Sequence, residues 1–349
     1  MVQIAVIRND TARDPSTFGE SARPLRYSTG SAGRNPQAQW QVWANILRVR
    51  GVRMATQKQY EAITKVIIEA LKRGVVPWQK PWNAPKGNAL PHNAATGHRY
   101  KGLNVFNLWA VGALGGYSTQ AWVTYNQATQ LGGTVRKGEK STLVQFWKFE
   151  KKRTGEIDED GEEILKPRFL LKFFNVFNVD QCEGLKLPKR ELVSAEVDED
   201  YDAVEAAEHI IESYTGREHQ GPAFTTNGGD RAFYSPDKDS IHVPKASQYE
   251  DTDEYYSTVF HELVHSTGHK SRLKRLDNDA GPSHFGSEKY SKEELVAEFG
   301  NAFLSAEVGI DNTVDNSASY IGHWLKAIQG DYTLALFAAG KAQKAADHV

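Results

Sequence analysis

Two of the chain's eleven histidines stand four residues apart around a glutamate: His261, Glu262 and His265, in VFHELVHSTGH. On an α-helix, residues at that spacing lie about 40° apart around the axis, so both imidazoles leave the same face. Two neutral imidazoles so placed can hold one tetrahedral Zn²⁺, and the glutamate between them can reach a water on the ion. The alternative is a surface pair of histidines flanking an exposed glutamate. The surrounding pattern favours a helix: Asp251 and Glu254 offer a cap, Val259, Leu263 and Val264 offer packing, and Gly268 can close it.

A catalytic zinc takes three protein ligands and keeps a fourth position open. The third ligand is expected from YSKEELVAEFGNAF, where Glu294 and Glu298 share a helical face with Leu295, Phe299 and Ala302. Carboxylates on a core-facing side are costly unless paired or metal-bound. Ser291-x-x-Glu294 also reads as a capping box, which would give Glu294 a purely local role. Whichever glutamate does not ligate is expected to hold a ligand histidine from behind. His269 follows Gly268 and leaves the helix, and His242 lies in the preceding strand, so neither is favoured as a ligand.

These residues need elements to position them. The spacing predicts helices near 201–214, 252–266, 292–306, 317–328 and 331–346, with a strand-turn-strand AFYSPDKDSIHVP ahead of the site. The strand Ile241–Val243 is expected to pair with an extended peptide by β-augmentation. Further forward, Ile63, Val66, Ile67, Ala70 and Leu71 predict a helix ended by Gly74. Strands are predicted at Ala121–Thr124, Thr142–Phe149 and Phe169–Val179, the last two separated by the charged KKRTGEIDEDGEE.

The 349 residues suit two domains of ordinary size, and 40% apolar with 25% charged residues is a globular composition. No run approaches the roughly 20 apolar residues of a membrane span, and the start does not read as a secretory signal. The single cysteine, Cys182, excludes an internal disulfide and a cysteine zinc finger and fits a reducing compartment. Net charge is +5 over residues 1–53, +9 over 54–190 and −16 over 191–349, so the two halves present different surfaces. Residues 1–53 read as a flexible leader. Met54 precedes the first clear helix, so the functional protein is expected to begin there, with the leader dispensable. The expected organisation is this leader, a front α+β domain over 54–190 and a back domain over 191–349.

Five of the eight tryptophans fall between Trp78 and Trp147, among scattered cations. Aromatic faces for stacking beside cations for phosphates are what sequence-tolerant binding of unpaired nucleic acid uses. Trp78, Trp82 and Tyr100, in loop-forming sequence, are the stacking candidates, whereas Trp109 and Trp122 read as core. Lys80, Arg99, Lys101, Arg136, Lys137 and Lys140 are the phosphate candidates, and Asn104 a polar contact. No base-reading motif is visible.

Several of these segments resemble one family. SIHVP, HELVHSTGHKSRLKR, KEELVAEFGNAFLSAEVGI and SYIGHWLKAI are similar to the metallopeptidase domain of ArdC-type antirestriction proteins. WQKPW, GHRYKGLNVFNLW and AWVTYNQATQLGGTVRKGEKSTLVQFW resemble that family's single-stranded-DNA-binding domain, which TraC-type plasmid primases share. The resemblance runs from about Met54 to Val349. It implies an α+β fold, with a single-stranded-DNA-binding domain followed by a zincin-like metallopeptidase domain. It also implies Glu294 as third ligand and Glu298 behind a histidine, although many of the wider class have Asp or Asn at the latter position. Zn²⁺ is the implied ion, with Mn²⁺ or another divalent cation as a substitute. Glu262 would accept a proton from the attacking water, with Tyr320 and His323 as candidates to stabilise the oxyanion. The implied partners are single-stranded DNA and a protein substrate such as a restriction-system component, in the cytoplasm and away from membranes. The competing expectation is a non-enzymatic protein that shields incoming strands and keeps a structural metal. A nuclease is not favoured, because nothing supplies a second metal or an acidic cluster.

Overall fold

The computed structural model describes residues 57–78, 90–157, 163–188, 202–217, 221–227, 229–276, 288–311 and 318–349. The expected leader over 1–53, Lys80, Trp82 and most of the expected linker lie outside them. Among the described residues no helix is long and apolar enough to cross a membrane.

Helix α1 (Gln57–Lys72) buries Ile63, Ile67, Ala70 and Leu71 along one face, and Gly74, at φ 74°, turns the chain out of it. Strand β1 (His92–Asn93) and helix α2 (Leu103–Gly115) lead into β2 (Ala121–Thr124). Thr124 then caps the short α3 (Tyr125–Gln130) in a reciprocal box with Gln127. Strand β3 (Thr134–Val135) precedes the long pair β4 (Thr142–Ile157) and β5 (Glu163–Asn178), and β6 (Cys182–Glu183) returns beside β3. The main sheet has the order β1-β2-β5-β4, antiparallel except for β1 with β2.

Both long strands outrun their predicted ends. Lys151, Lys152 and Arg153, expected in a charged connection, pair with Pro167, Lys166 and Leu165. Charge did not stop the ladder, because its hydrogen bonds are made by backbone groups and need no apolar side chain.

The back half follows the predicted order. Helix α4 (Ala203–Thr215) is capped by the Asp202 carboxylate. Strands β7 (Ala223–Asn227), β8 (Phe233–Ser235) and β9 (Ser240–Pro244) form a sheet in the order β7-β9-β8. Helices α5 (Thr252–Ser266), α6 (Glu288–Val308), α7 (Ala318–Gly330) and α8 (Leu334–Ala346) complete it. Because α6 begins at Glu288, Glu294 lies inside the helix, so the expected capping box at Ser291 does not form.

The two halves share one core. The Phe106 ring of α2 stacks on Phe299 of α6 with centroids 4.0 Å apart and meets Phe303 at 4.9 Å, while Trp78 sits 5.0 Å from Phe299. Helix α1 also packs on α7, and its Thr64 hydroxyl donates to the Tyr332 carbonyl at 2.9 Å. Thus α6 is buried by the front half along one side and by α5 and α8 along others.

Between α5 and α6 the backbones approach closely at one point. A Cβ on Gly300 would meet the Val264 methyls at 2.6 and 2.7 Å, inside any real contact. Nearby, Asn301 donates to the Ser257 hydroxyl at 2.9 Å, fixing the register of the two helices. Gly300→Ala is therefore expected to destabilise the protein by about 1–3 kcal/mol through overpacking, despite the better helix propensity of alanine. Thermal melting of the two proteins checks this, and an unchanged or raised Tm would contradict it.

Candidate metal centre

Helix α5 is held at both ends. The Asp251 carboxylate accepts from the Glu254 amide at 2.8 Å, and buried Ser266 pairs with the Tyr214 hydroxyl of α4 at 2.9 Å. Val259, Phe260, Leu263 and Val264 are fully buried. Beyond the helix the chain turns back, and Arg272 ion-pairs with Asp239 while donating to the Ser266 carbonyl.

The expected ligands converge. His261 Nε2 and His265 Nε2 are 3.0 Å apart, and the Glu294 carboxylate stands 3.5 Å from the first and 3.4 Å from the second. Among the described residues these three form the one grouping of histidines, cysteines and carboxylates whose donor atoms all lie within 4.8 Å of one another. A tetrahedral ion with ligands at about 2.0–2.1 Å places its donors about 3.3–3.4 Å apart. The observed edges are close to that, with Oε2 of Glu294 facing His261 and Oε1 facing His265, so two imidazole nitrogens and a carboxylate fit a divalent cation in both spacing and donor type.

Each histidine is backed by its own carboxylate. His261 Nδ1 faces Glu298 at 3.6 Å, in the supporting place expected for Glu298. His265 Nδ1 faces Glu293 at 3.7 Å, a residue the sequence reading passed over. Glu293 is held in turn by Arg275 at 2.8 Å, and that guanidinium also donates to the Val264 carbonyl and the Thr267 hydroxyl. Adjacent helical residues point about 100° apart, so Glu293 and Glu294 cannot serve one atom, but they can serve the two nitrogens of one ring. The signal for this was present: three carboxylates within six residues, downstream of an arginine.

Burial alone would lower the pKa of both imidazoles, but the carboxylates outweigh it. His261 is raised by Glu294 and Glu298, and His265 is raised well above its ordinary value by Glu293 and Glu294. Burial would raise Glu294 and Glu293; the two histidines pull Glu294 well below the carboxylate range, and His265 with Arg275 lowers Glu293. The site is thus built to neutralise positive charge at the nitrogens, whether a proton or a cation carries it. Glu262, between the histidines, is buried.

Other candidates are elsewhere. His269 lies past the end of α5 against Ser271 and Asp239, and His242 stacks on Phe233 and contacts Ser240. His323 is exposed on α7, which packs on α1 and α8, and its ring meets Trp324. The side chain of Tyr320 lies outside the described residues. Strand β9 has neighbours on both sides, so the expectation that Ile241–Val243 accepts a peptide strand is not met. The outer strands of this sheet are β7 and β8.

The nucleic-acid candidates divide. Trp78 is only 1% exposed and packs on Phe299, so it has no ring face to offer a base. Tyr100 is buried as well, with its pKa pushed up to about 12 by desolvation. Asn104 is buried and exchanges hydrogen bonds with the Gln145 backbone, which makes it a brace for β4 rather than a contact. As expected, Trp109 and Trp122 are core. The cations are exposed but partly engaged: Arg99 reaches both oxygens of Glu307 at 2.6 and 2.7 Å, and Lys101 reaches Asp347 at 3.2 Å. Arg136 pairs with Glu139 at 2.8 Å, and Lys137 and Lys140 are exposed in the same loop.

A helix bearing two histidines, a second helix supplying a glutamate and a flanking three-stranded sheet, behind an α+β domain, define a zincin-like metallopeptidase domain with an N-terminal extension. Family matches agree: the N-terminal domain of anti-restriction factor ArdC covers residues 57–177, and the zincin-like metallopeptidase family covers residues 216–342. The chain is 38% identical to a metal-free crystal structure of antirestriction protein ArdC from plasmid R388, with TM-score 0.61 over 83% of this chain and 95% of that one. A Mn(II)-bound structure of the plasmid protein gives 35% identity and TM-score 0.62, over 83% and 96% of the two chains. The chain belongs to the ArdC antirestriction family. It is also 41% identical over 323 residues to the DNA primase TraC of Escherichia coli, spanning 21% of that protein's length.

Glu293→Gln is expected to weaken divalent-metal affinity about 10–100-fold by releasing the His265 ring. A chelator competition titration measures this, and unchanged affinity would reduce Glu293 to an anchor for Arg275. The pH dependence has two limbs. Stability from the raised histidines is complete below about pH 6.5 and is lost as pH rises through their elevated values. Stability from Glu293 and Glu294 is present above about pH 4.5 and is lost on acidification. The protein stripped of metal should therefore melt highest at about pH 5–6.5, whereas metal affinity should rise with pH as protons are displaced. Melting curves and calorimetry in two buffers of different ionisation enthalpy test both limbs.

Proposed function

We propose that this chain is a divalent-metal-dependent peptidase that also holds single-stranded DNA, and that it serves antirestriction as plasmid DNA enters a cell. The observation that carries the peptidase reading is Glu262, buried on α5 between two imidazoles that meet a carboxylate. A metal kept only for structure has no need of it.

His261, His265 and Glu294 would hold the ion, which when bound supplies a Lewis acid for a peptide carbonyl and its attacking water. Zn²⁺ or Mn²⁺ suits this donor set, and the Mn(II)-bound plasmid ArdC supports a divalent cation. Glu262 takes the proton from the attacking water and returns it to the leaving amine. Glu293 and Glu298 keep the rings aimed. The outer edge of β8 can align an extended peptide by backbone hydrogen bonds.

The DNA reading draws support from the match to the ArdC N-terminal domain, from TraC primase relatives and from the net charge of +9 over residues 54–190. Front and back domains over 54–190 and 191–349 would then act in the cytoplasm, the first keeping the second beside proteins engaged on the same strand. A restriction-system component is the proposed class of protein substrate.

Glu262→Ala should retain metal and bind oligonucleotides normally, yet lose about 10²–10⁴ of any peptidase rate. The assay is hydrolysis of denatured casein together with protection of incoming DNA in cells. Full protection by this variant would favour a shielding protein with a structural ion.

A further inference from the structure

We propose that unpaired bases stack on an aromatic platform formed by Phe146 and Phe174 on the β4–β5 ribbon, with Lys172 meeting the phosphates. This rests on the reading that the chain binds single-stranded DNA, and it assigns that binding to a surface.

Phe146 and Phe174 are 42% and 43% exposed, unusual for phenylalanine on a strand that also feeds a core. Their rings meet edge to face, with centroids 5.6 Å apart and planes at 73°. The register explains the grouping: Phe146 stands opposite Lys172, and Phe174 opposite Val144. Directly opposed residues share a face, as do residues two apart on one strand. Phe146, Phe174 and exposed Lys172 therefore form a single patch. The next residue along, Phe173, points to the other face and meets the buried Tyr60 of α1. Val144 and Val176, on the aromatic pair's own face, are buried, so both faces pack at that end of the ribbon and the pair's face reaches solvent at Phe146, Phe174 and Lys172.

Charge favours a polyanion as the occupant. The front half carries a net charge of +9 over residues 54–190, and beyond the pair the two strands hold Lys148, Lys151, Lys152, Arg153, Lys166 and Arg168 against Glu150, Glu156 and Glu163. Aromatic faces beside cations suit a strand whose bases are free, because a duplex hides its base faces. The buried Trp78 and Tyr100 cannot take this part, but Tyr100 lies 5.9 Å from Phe146 and buttresses its far side. Beside Tyr100, Arg99 and Lys101 are paired with Glu307 and Asp347. Exposed pairs of this kind are weak, so a strand running past Phe146 can exchange those carboxylates for its own phosphates.

The test uses the full chain and a fluorescein-labelled oligothymidylate read by anisotropy. Phe146→Ala with Phe174→Ala should weaken binding by about tenfold or more, with melting temperature and metal content unchanged, and Phe146→Tyr with Phe174→Tyr should restore it. Lys172→Gln should shallow the dependence of affinity on salt, whereas the alanine pair should leave that slope intact. Binding by the alanine pair within twofold of the parent would overturn the platform while leaving DNA binding in place. Equal losses on duplex and single strands would overturn stacking. No binding by the parent chain would overturn the DNA reading itself, and the platform with it. Normal DNA binding by the alanine pair with lost protection in cells would reassign the patch to a protein partner.

Discussion

Two imidazoles on one helix face three carboxylates on the next, and the fold around them holds those helices in register. The distances are set where α5 and α6 touch, at Gly300 against Val264, one residue before His265. A side chain there would push α6 outward and carry Glu293, Glu294 and Glu298 away together. The Asn301–Ser257 hydrogen bond fixes the same register along the axis. Burying so many ionisable groups is tolerable because each has an opposite partner: Glu294 spans both rings, Glu298 backs one, and Glu293 joins the other to Arg275.

Helix α6 also faces the front half. Phe299, next to Glu298, lies between Trp78 and Phe106, and Glu307 at its far end grips Arg99. The helix that supplies the third candidate ligand is therefore packed by the half that matches the ArdC N-terminal domain.

The site was largely legible in advance because it rests on local periodicity. His261 and His265 had to share a face once α5 was helical, and Asp251 marked its start. Glu294 and Glu298 recurred at the spacing of a facing helix. Glu293 was harder to find: it sits beside a better candidate, and its role appears only when Arg275 folds back from beyond α5. The aromatic residues misled for a related reason. Trp78 lies among loop-forming residues, which reads as exposure, but a partner more than two hundred positions away covers it.

By itself, the sequence determined the helix that carries the histidines, the order of elements, the α+β class and the candidate metal ligands, because each follows from periodicity within a single element. Only the tertiary structure decided which carboxylate serves which nitrogen, that the two halves share a core, and which aromatic rings remain in solvent. Those outcomes depend on surfaces brought together from distant parts of the chain, and hydrophobic burial carries no label in the sequence naming its partner.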